Sequence, residues 1–227
     1  MTAEPPRNRR EQKKEQTRLA LVEVAHRRFA HRGYHETTLD EISTEVGVRV
    51  QTLLRHFESK AHLAMAPWYF RFGMLQARLD ARRDDGLDTL AVWRRFVAEE
   101  SAEATRPSSP TASSVVDSIK AFRSWAEQDP VLVAMSSDIE VRTQLALASA
   151  LAADRRLPAD DLHSRLVASM LVSGRSAVFG RWVASGATSP RLAADQDALI
   201  DVVVASFPRR STRRLLRLGL DGARPQM

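Results

Sequence analysis

The stretch TTLDEISTEVGVRVQTLLRHFESK at residues 37–60 decides the fold of this chain. It predicts two short helices joined by a tight turn. Thr38 and Glu41 stand three residues apart, which is the spacing of a capping box at the start of a helix. Apolar residues then recur at helical spacing up to Gly47, which readily takes the positive φ wanted where a helix ends. A second short helix is expected over residues 49–57.

The second helix is predicted to have one apolar side and one polar side. Val50, Leu53 and Phe57 share a face, so that face is expected to pack inward. The outer side and the ends keep polar and basic residues that a core does not need, namely Arg49, Gln51, Thr52, Arg55 and His56. The major groove of DNA is wide enough to admit one α-helix, so a unit of this kind suits DNA binding.

A longer helix precedes this unit, and with its turn it reads RLALVEVAHRRFAHRGYHETT at residues 18–38. The segment from residue 18 to about residue 63 resembles the N-terminal domain of TetR-family transcriptional regulators, whose first helix ends in Phe-Ala-x-x-Gly-Tyr-x-x-Thr-Thr. The matching residues are Phe29, Ala30, Gly33, Tyr34, Thr37 and Thr38, then Ile42, Gly47, Val48, Thr52, Leu53, His56, Phe57, Ser59 and Lys60. The run is ungapped and therefore specific, although it covers only about a fifth of the chain.

The resemblance implies a set of residues that would contact DNA. The expected phosphate contacts are Thr38, Thr52, Arg55, His56 and Lys60, and the expected base contacts are Arg49, Val50 and Gln51. A glutamine near the start of the second helix can pair bidentately with adenine. Leu54 departs from the family, which usually has a phosphate-contacting tyrosine there. Either that contact is lost, or a neighbour such as Arg55 or His56 replaces it.

Charge is distributed unevenly along the chain, whose formal net charge is +6. Residues 1–60 hold 12 Lys and Arg against 9 Asp and Glu, and residues 209–227 hold 6 Arg against 1 Asp. A basic arm at residues 1–16 is expected to reach the DNA backbone or a minor groove through Arg9, Arg10, Lys13 and Lys14. The basic tail at 209–227 has several open roles: a phosphate contact, packing on a partner subunit, an acidic membrane surface, or a solvated segment.

Composition narrows the class of protein. Hydrophobic residues make up 44% of the chain, enough for a full core, and cysteine is absent, which excludes disulfides and thiolate catalysis. No apolar run approaches the roughly 18–20 residues of a membrane span, and the polar N-terminus lacks a signal-peptide core. A cytoplasmic protein without stable membrane association is expected.

The remainder of the chain is helical by pattern, which predicts an all-α fold. A helix over 59–83 contains Pro67, where a kink is expected because proline removes a backbone hydrogen bond. Further helices are predicted over 88–104, 111–127, 129–154 with a break near Ser136 and Ser137, 159–185 and 190–207. The domain boundaries expected from this pattern are an arm at 1–16, a helix-turn-helix domain at 17–62, a regulatory and dimerisation domain at 63–208 and a tail at 209–227.

The last two helices combine small residues with wide apolar faces. The segments 159–185 and 190–207 are therefore expected to form a subunit interface, as the last two helices do in the family, rather than the core of a monomer. A symmetric dimer places two recognition helices one helical turn apart, which suits a palindromic operator.

The larger domain is expected to hold a small-molecule effector in a mostly apolar cavity, as the resemblance implies. The candidate lining residues are Trp68, Phe72, Trp93, Phe96, Phe122, Trp125, Met135, Met170, Phe179 and Trp182, with Arg123, Arg142 and Arg175 as candidate anchors for an anionic group. Each aromatic residue could instead be ordinary core, and each arginine could pair with an acid or reach solvent. The PWYF stretch at 67–70 and the penultimate helix resemble regulators of acyl-CoA-like ligands.

The sequence contains little that is typical of an enzyme active site. There is no nucleophile elbow, no phosphate-binding glycine loop and no cysteine, and the pairs His31–His35 and His56–His62 are each interrupted by a turn. No catalytic residue, metal site or cofactor is expected. The sequence predicts a homodimeric, ligand-responsive regulator, of repressor type, that leaves its operator when the effector binds. Two alternatives stay open: a helix-turn-helix regulator without an effector, and a helical protein that does not bind DNA.

Overall fold

The computed structural model describes residues 9–105, 126, 128–186 and 191–207, and over those residues all regular structure is helical. The helices are α1 (Arg9–Arg32), α2 (Leu39–Val46), α3 (Val50–His56), α4 (Lys60–Ala81), α5 (Thr89–Ala104), α6 (Pro130–Asp154), α7 (Leu162–Ala184) and α8 (Leu192–Ser206). The all-α prediction is confirmed. The helix expected over 111–127 and the basic tail lie outside the described residues.

The chain divides into two compact units, which are described separately. The first unit contains residues up to Met74 and the segment from residue 106 to Ile139, and the second contains 75–105 and the chain from Glu140 onward. Helix α4 therefore contributes its first part to the first unit and its last turns to the second.

Helix α1 begins at Arg9, about two and a half turns before the start expected at residue 18. Residues 9–16 are thus helical and not an irregular arm. The sequence RREQKKEQ explains this, because arginine, glutamate, glutamine and lysine are all good helix formers. Glu11 stands in the first turn, where a negative charge complements the helix dipole, and Glu15 pairs with Arg18 at 3.5 Å.

Helix α2 begins and ends at the residues that the sequence predicts. The Thr38 hydroxyl accepts a hydrogen bond from the Glu41 amide at 3.2 Å, and the Glu41 carboxylate accepts one from the Thr38 amide at 2.9 Å. Gly47 ends the helix with a φ of 77°, in the left-handed region where a side chain would be strained. The turn into α3 is therefore short and fixed at both sides.

The core of the first unit is built on one face of α1. Leu21, Ala25 and Phe29 are at most 1% exposed, and α2 and α3 both pack on this helix. Further buried side chains come from the other elements of the unit, including Tyr34, Ile42, Leu53, Phe57, Leu63, Met65 and Leu132. Burying this stripe holds three helices that are individually too short or too polar to be stable alone.

Helix α4 continues through Pro67, and a second helix bonds to its backbone beside that residue. Proline has no amide hydrogen, so the Leu63 carbonyl loses its usual partner in the helix. The next carbonyl, that of Ala64, accepts a hydrogen bond from His26 Nε2 of α1 at 2.9 Å. The His26 ring also lies 6.0 Å from the ring of Trp68. Helix α1 is thereby joined to α4 at its interrupted turn.

The core of the second unit joins helices α4 to α8. Leu75, Leu79, Trp93, Leu147, Leu171 and Ile200 are among its buried residues. Helix α8 packs on both α5 and α7. Exposed ion pairs accompany this packing, since Arg94 of α5 contacts both Asp197 and Asp201 of α8.

A buried arginine joins three helix ends in the second unit. Arg82 is 7% exposed, and its Nε donates to Asp154 Oδ1 at 2.9 Å while its Nη2 donates to the Ala150 carbonyl at 3.1 Å. The other Asp154 oxygen accepts from the Thr89 amide at 2.7 Å. Burial alone raises the pKa of Asp154, but the hydrogen bonds from Thr89 and Arg82 outweigh it and hold that pKa below its ordinary value.

Helix α6 begins as predicted, but it has no break at the two serines. Asp129 caps it, with its carboxylate accepting from the Val131 amide at 2.9 Å. Ser136 and Ser137 instead donate their hydroxyl protons to carbonyls one turn earlier, at 2.8 and 3.0 Å. This bonding back to the helix satisfies both hydroxyls without interrupting it. In the described part of the chain, no helix is long and apolar enough to cross a membrane.

The buried His26 predicts an acid-sensitive first unit. Burial lowers the pKa of His26 from 6.5 to about 4, only partly offset by its bond to Ala64, so the folded state holds the neutral ring. Below pH 6.5 the unfolded chain binds the proton first, and stability is lost as the pH falls towards 4. By pH 5 the loss attributable to this histidine is about 2 kcal/mol.

Urea denaturation at pH 7 and pH 5 measures this effect against the variant His26→Gln. The glutamine amide can donate to the same carbonyl but does not titrate, so the variant should lose less stability between the two pH values. An equal loss in both proteins would contradict the assignment.

Candidate nucleic-acid interface

Helix α3 is anchored on one side and exposed on the other. Leu53 is fully buried and Phe57, which ends the helix, is 5% exposed. On the opposite side Gln51, Leu54 and Arg55 are exposed. Arg49 stands at the cap position, and its side chain makes no capping hydrogen bond and is exposed. A short polar surface is thus presented on a rigid anchor, as a major-groove helix requires.

Ion pairs hold α2 against α1 behind this surface. Arg27 and Arg28 of α1 both contact Glu45, and Arg32 contacts Glu41. Exposed pairs of this kind contribute little stability each. They neutralise the positive charges on this side of α1, because each of these arginines pairs with a glutamate of α2. The basic groups available for a polyanion therefore have to be sought elsewhere.

The N-terminal turns of α1 and the end of α3 form a basic corner, defined by Lys14, Arg18 and His56. Burial lowers the pKa of His56, and the positive charges of Lys14 and Arg18 lower it further, while the carboxylate of Glu15 raises it in part. The Arg18 guanidinium lies 5.6 Å from the centre of the Phe57 ring. Helix α1 therefore places charge beside α3 through a rigid element. The sequence pattern alone did not find Arg18, because only the packing of α1 against α3 brings its guanidinium to Phe57.

Lys60, a predicted phosphate contact, already has partners within the first unit. Its ammonium donates to the His35 carbonyl at 3.1 Å and lies 4.5 Å from the centre of the Tyr34 ring. Burial lowers its pKa, while nearby acids raise it. The Thr38 hydroxyl is similarly engaged in the capping box. Both residues therefore support the turn before α2, and their contact with phosphate stays a prediction.

The remaining predicted DNA contacts differ in accessibility. Arg49, Gln51 and Arg55 are exposed, whereas Val50, Thr52 and His56 are half-buried. Arg9, Arg10, Lys13 and Lys14 are exposed on the first turns of α1. We call the exposed residues of α3 and of the first turns of α1 the α1–α3 surface.

The predicted effector-binding residues fall into separate clusters. Trp68, Phe72 and Met135 are half-buried against the core of the first unit. In the second unit, Trp93 and Phe96 are buried with their rings 6.0 Å apart, and Phe179 and Trp182 lie 5.6 Å apart. Met170 is 40% exposed. Phe122, Arg123 and Trp125 lie outside the described residues.

The candidate anion-binding residues of the second unit, Arg175 and Arg142, have different surroundings. Arg175 pairs with Glu100 of α5, which is the acid-pairing alternative considered from the sequence, and Arg142 is exposed. A cleft of about 260 Å³ in this unit is lined by Gln76, Leu79 and Arg82 among others, and by none of the predicted residues. In the described ranges, no group of three His, Asp or Glu residues is placed to hold a metal ion.

Comparison with known protein families supports the predicted resemblance of the first unit to TetR-family regulators. Residues 21–66 match the sequence profile of the family described as bacterial regulatory proteins, tetR family. This match covers the second half of α1, all of α2 and α3, and the start of α4. No curated protein is similar enough in sequence to match the chain.

Solved structures of low sequence identity share the fold. SmeT, the repressor of the Stenotrophomonas maltophilia multidrug efflux pump SmeDEF, superposes with a TM-score of 0.61 at 16% identity, covering 88% of this chain and 94% of that chain. Bacillus subtilis FadR in complex with stearoyl-CoA gives 0.59 at 14% identity, covering 84% and 99%. NalD, the secondary repressor of MexAB-OprM in Pseudomonas aeruginosa, gives 0.58 at 18%, covering 87% and 99%. The chain therefore shares the fold of these solved regulators, and its first unit contains the segment that matches the tetR family.

The basic corner generates a prediction about salt dependence. A lysine that neutralises a phosphate releases a counterion, and its loss makes the slope of log K against log salt about 0.9 less negative. Lys14→Gln should flatten the slope for duplex binding by this amount in each subunit, because Lys14 is exposed and its charge acts on His56 at the end of α3.

Arg83→Gln is the control, because it makes the same change of charge at an exposed residue of the second unit that is not a candidate DNA contact. It should leave the slope nearer to that of the unchanged protein. Equal flattening of the salt slope by both variants would show that DNA binding does not depend on the basic corner in particular.

Proposed function

We propose that this chain, which carries the N-terminal domain and the fold of the tetR-family regulators, is a homodimeric transcriptional repressor released from a palindromic operator by a small molecule. The observation that carries the proposal is the exposed polar side of α3 on a buried anchor, inside the segment that matches the family. An amphipathic surface helix also has an exposed polar side, so the match of this segment to the family is what assigns that side to DNA.

The proposed contacts follow from the accessibility of the α1–α3 surface. Arg49, Val50 and Gln51 at the start of α3 would meet base edges. Phosphates would be met by Arg55, by the basic corner, and by the remaining candidates Thr38, Thr52 and Lys60, together with Arg9, Arg10 and Lys13 on the first turns of α1. Phosphate contacts fix the position of the domain on the duplex, and base contacts select the sequence.

Dimerisation through α7 and α8 is proposed from the character of these helices. They pack closely, since a Cβ on Gly174 would stand 2.9 Å from the Leu199 side chain. Apolar residues remain exposed on both, with Met170 at 40% and Val202 at 62% exposure. Large apolar side chains that are exposed in a single chain are often buried by a partner, so a subunit interface would explain their exposure.

A mostly apolar effector is proposed for the larger helical part, residues 63–208. Two of the similar structures hold ligands with a large apolar part, since SmeT is described with triclosan and FadR with stearoyl-CoA, whose acyl chain is apolar. Acyl-CoA-like molecules are therefore the first to test. Binding would shift α4, change the separation of the two recognition helices in the dimer and lower the affinity for the operator.

Titration of duplex DNA tests the proposal directly. The intergenic DNA upstream of this protein's own coding sequence would be compared with a scrambled duplex of equal composition, at two salt concentrations. Tight, salt-sensitive binding that prefers the native sequence, with two chains per site, supports the proposal. If a pool of random duplexes also yields no enriched sequence, the protein is not a sequence-specific DNA-binding regulator.

Gln51 provides a residue-level prediction on any sequence found in this way. Replacing it with alanine should relax the preference at one base step and weaken specific binding by about 1–3 kcal/mol, with little effect on random DNA. Competition titrations with duplexes altered at single positions measure this. Equal losses on specific and random DNA would show that Gln51 does not read a base.

A further inference from the structure

Leu54 is an exposed apolar residue on the face of α3 that is otherwise polar. Its side chain is 43% exposed, whereas the preceding Leu53 is fully buried, so the exposure reflects its direction and not a loosely packed helix. A single exposed leucine is common on protein surfaces and needs no explanation by itself. The position of Leu54 matters because Gln51 stands three residues before it on the exposed side, so the two side chains are neighbours on the helix surface.

The chemistry of leucine limits what it can contact in a groove. It neither donates nor accepts a hydrogen bond, so it cannot bind a phosphate or the polar edge of a base. The apolar group that base edges present in the major groove is the 5-methyl of thymine. The neighbouring Gln51 amide matches the N6 and N7 positions of adenine, which is the partner of thymine in a base pair.

We propose that Leu54 and Gln51 together make α3 a reader of A·T base pairs, with Leu54 packed on a thymine methyl group and Gln51 paired with an adenine. This inference rests on the proposed function. It assigns to Leu54 a part in selecting the sequence, which a phosphate contact would not have. We assign the phosphate contact instead to the basic corner, where the Arg18 guanidinium of α1 lies 5.6 Å from the centre of the Phe57 ring at the end of α3.

Replacing thymine with deoxyuridine tests the contact, because it removes the methyl group and keeps the base pair. A preferred duplex would first be selected from a random pool with the full-length protein. Each thymine would then be replaced singly, and dissociation constants measured for the unchanged protein, Leu54→Ala and Leu19→Ala. Leu19 is the matched control, since it is 54% exposed but lies on α1. Circular dichroism would confirm that all three proteins keep their helix content.

The unchanged protein should bind about threefold to fivefold more weakly when one particular thymine in each half-site loses its methyl group. Leu54→Ala should bind the two duplexes within about 1.5-fold of each other, because the contact is already absent. Leu19→Ala should respond as the unchanged protein does.

Two results would overturn the inference while leaving the proposed function intact. One is a selected duplex on which no deoxyuridine replacement weakens binding. The other is a deoxyuridine effect of equal size in Leu54→Ala, which would attribute it to DNA shape. Failure to select any duplex would instead refute the proposed function, and this inference with it.

Discussion

A helix of seven residues is not stable alone in water, and α3 is such a helix. It persists because Leu53 and Phe57 are buried against α1. Deleting a buried leucine side chain costs about 2–5 kcal/mol, which is of the order of the stability of a whole domain. The burial of these two residues therefore fixes α3 in place, and it determines which side chains face outward. The same constraint that folds the first unit orients its candidate DNA-binding surface.

Helix α1 supplies more than a platform for this packing. Its middle carries the buried stripe, while its last turns are neutralised by Glu41 and Glu45 of α2. Its first turns carry exposed basic residues, and the charge of Lys14 acts on His56 at the end of α3. Helix α1 thus has a buried middle, last turns whose charges are neutralised by α2, and basic first turns. This arrangement concentrates the positive electrostatic potential of α1 at its first turns. A field of that kind attracts a polyanion to one surface and not to the others.

The sequence predicted those parts of the fold that depend on local chemistry. The capping box of Thr38, the left-handed Gly47 and the Asp129 cap are each set by residues within a few positions, and all three are confirmed. The start of α1 was placed too late, because a polar helix without an apolar stripe gives no periodic signal. The internal bond of Lys60 to the His35 carbonyl joins residues 25 positions apart, and such pairing cannot be read from spacing. Site prediction was strongest for the exposed side of α3 and weakest for charges that find partners through tertiary packing.

Under the proposed function, helix α4 would be the element that carries the effect of a bound ligand from the larger part of the chain to α3. Its hydrogen-bond ladder is interrupted at Pro67, and the adjacent Ala64 carbonyl is held by His26 of α1. A proline gap makes the helix easier to bend there, while the histidine ties the bending point to the helix on which α3 rests. Because His26 is buried and neutral, this bond is made in a medium of low dielectric, where displacing a partner is costly. A movement of α4 would therefore carry α1 with it more readily than it would break the bond, and α3 would follow because its anchor is on α1.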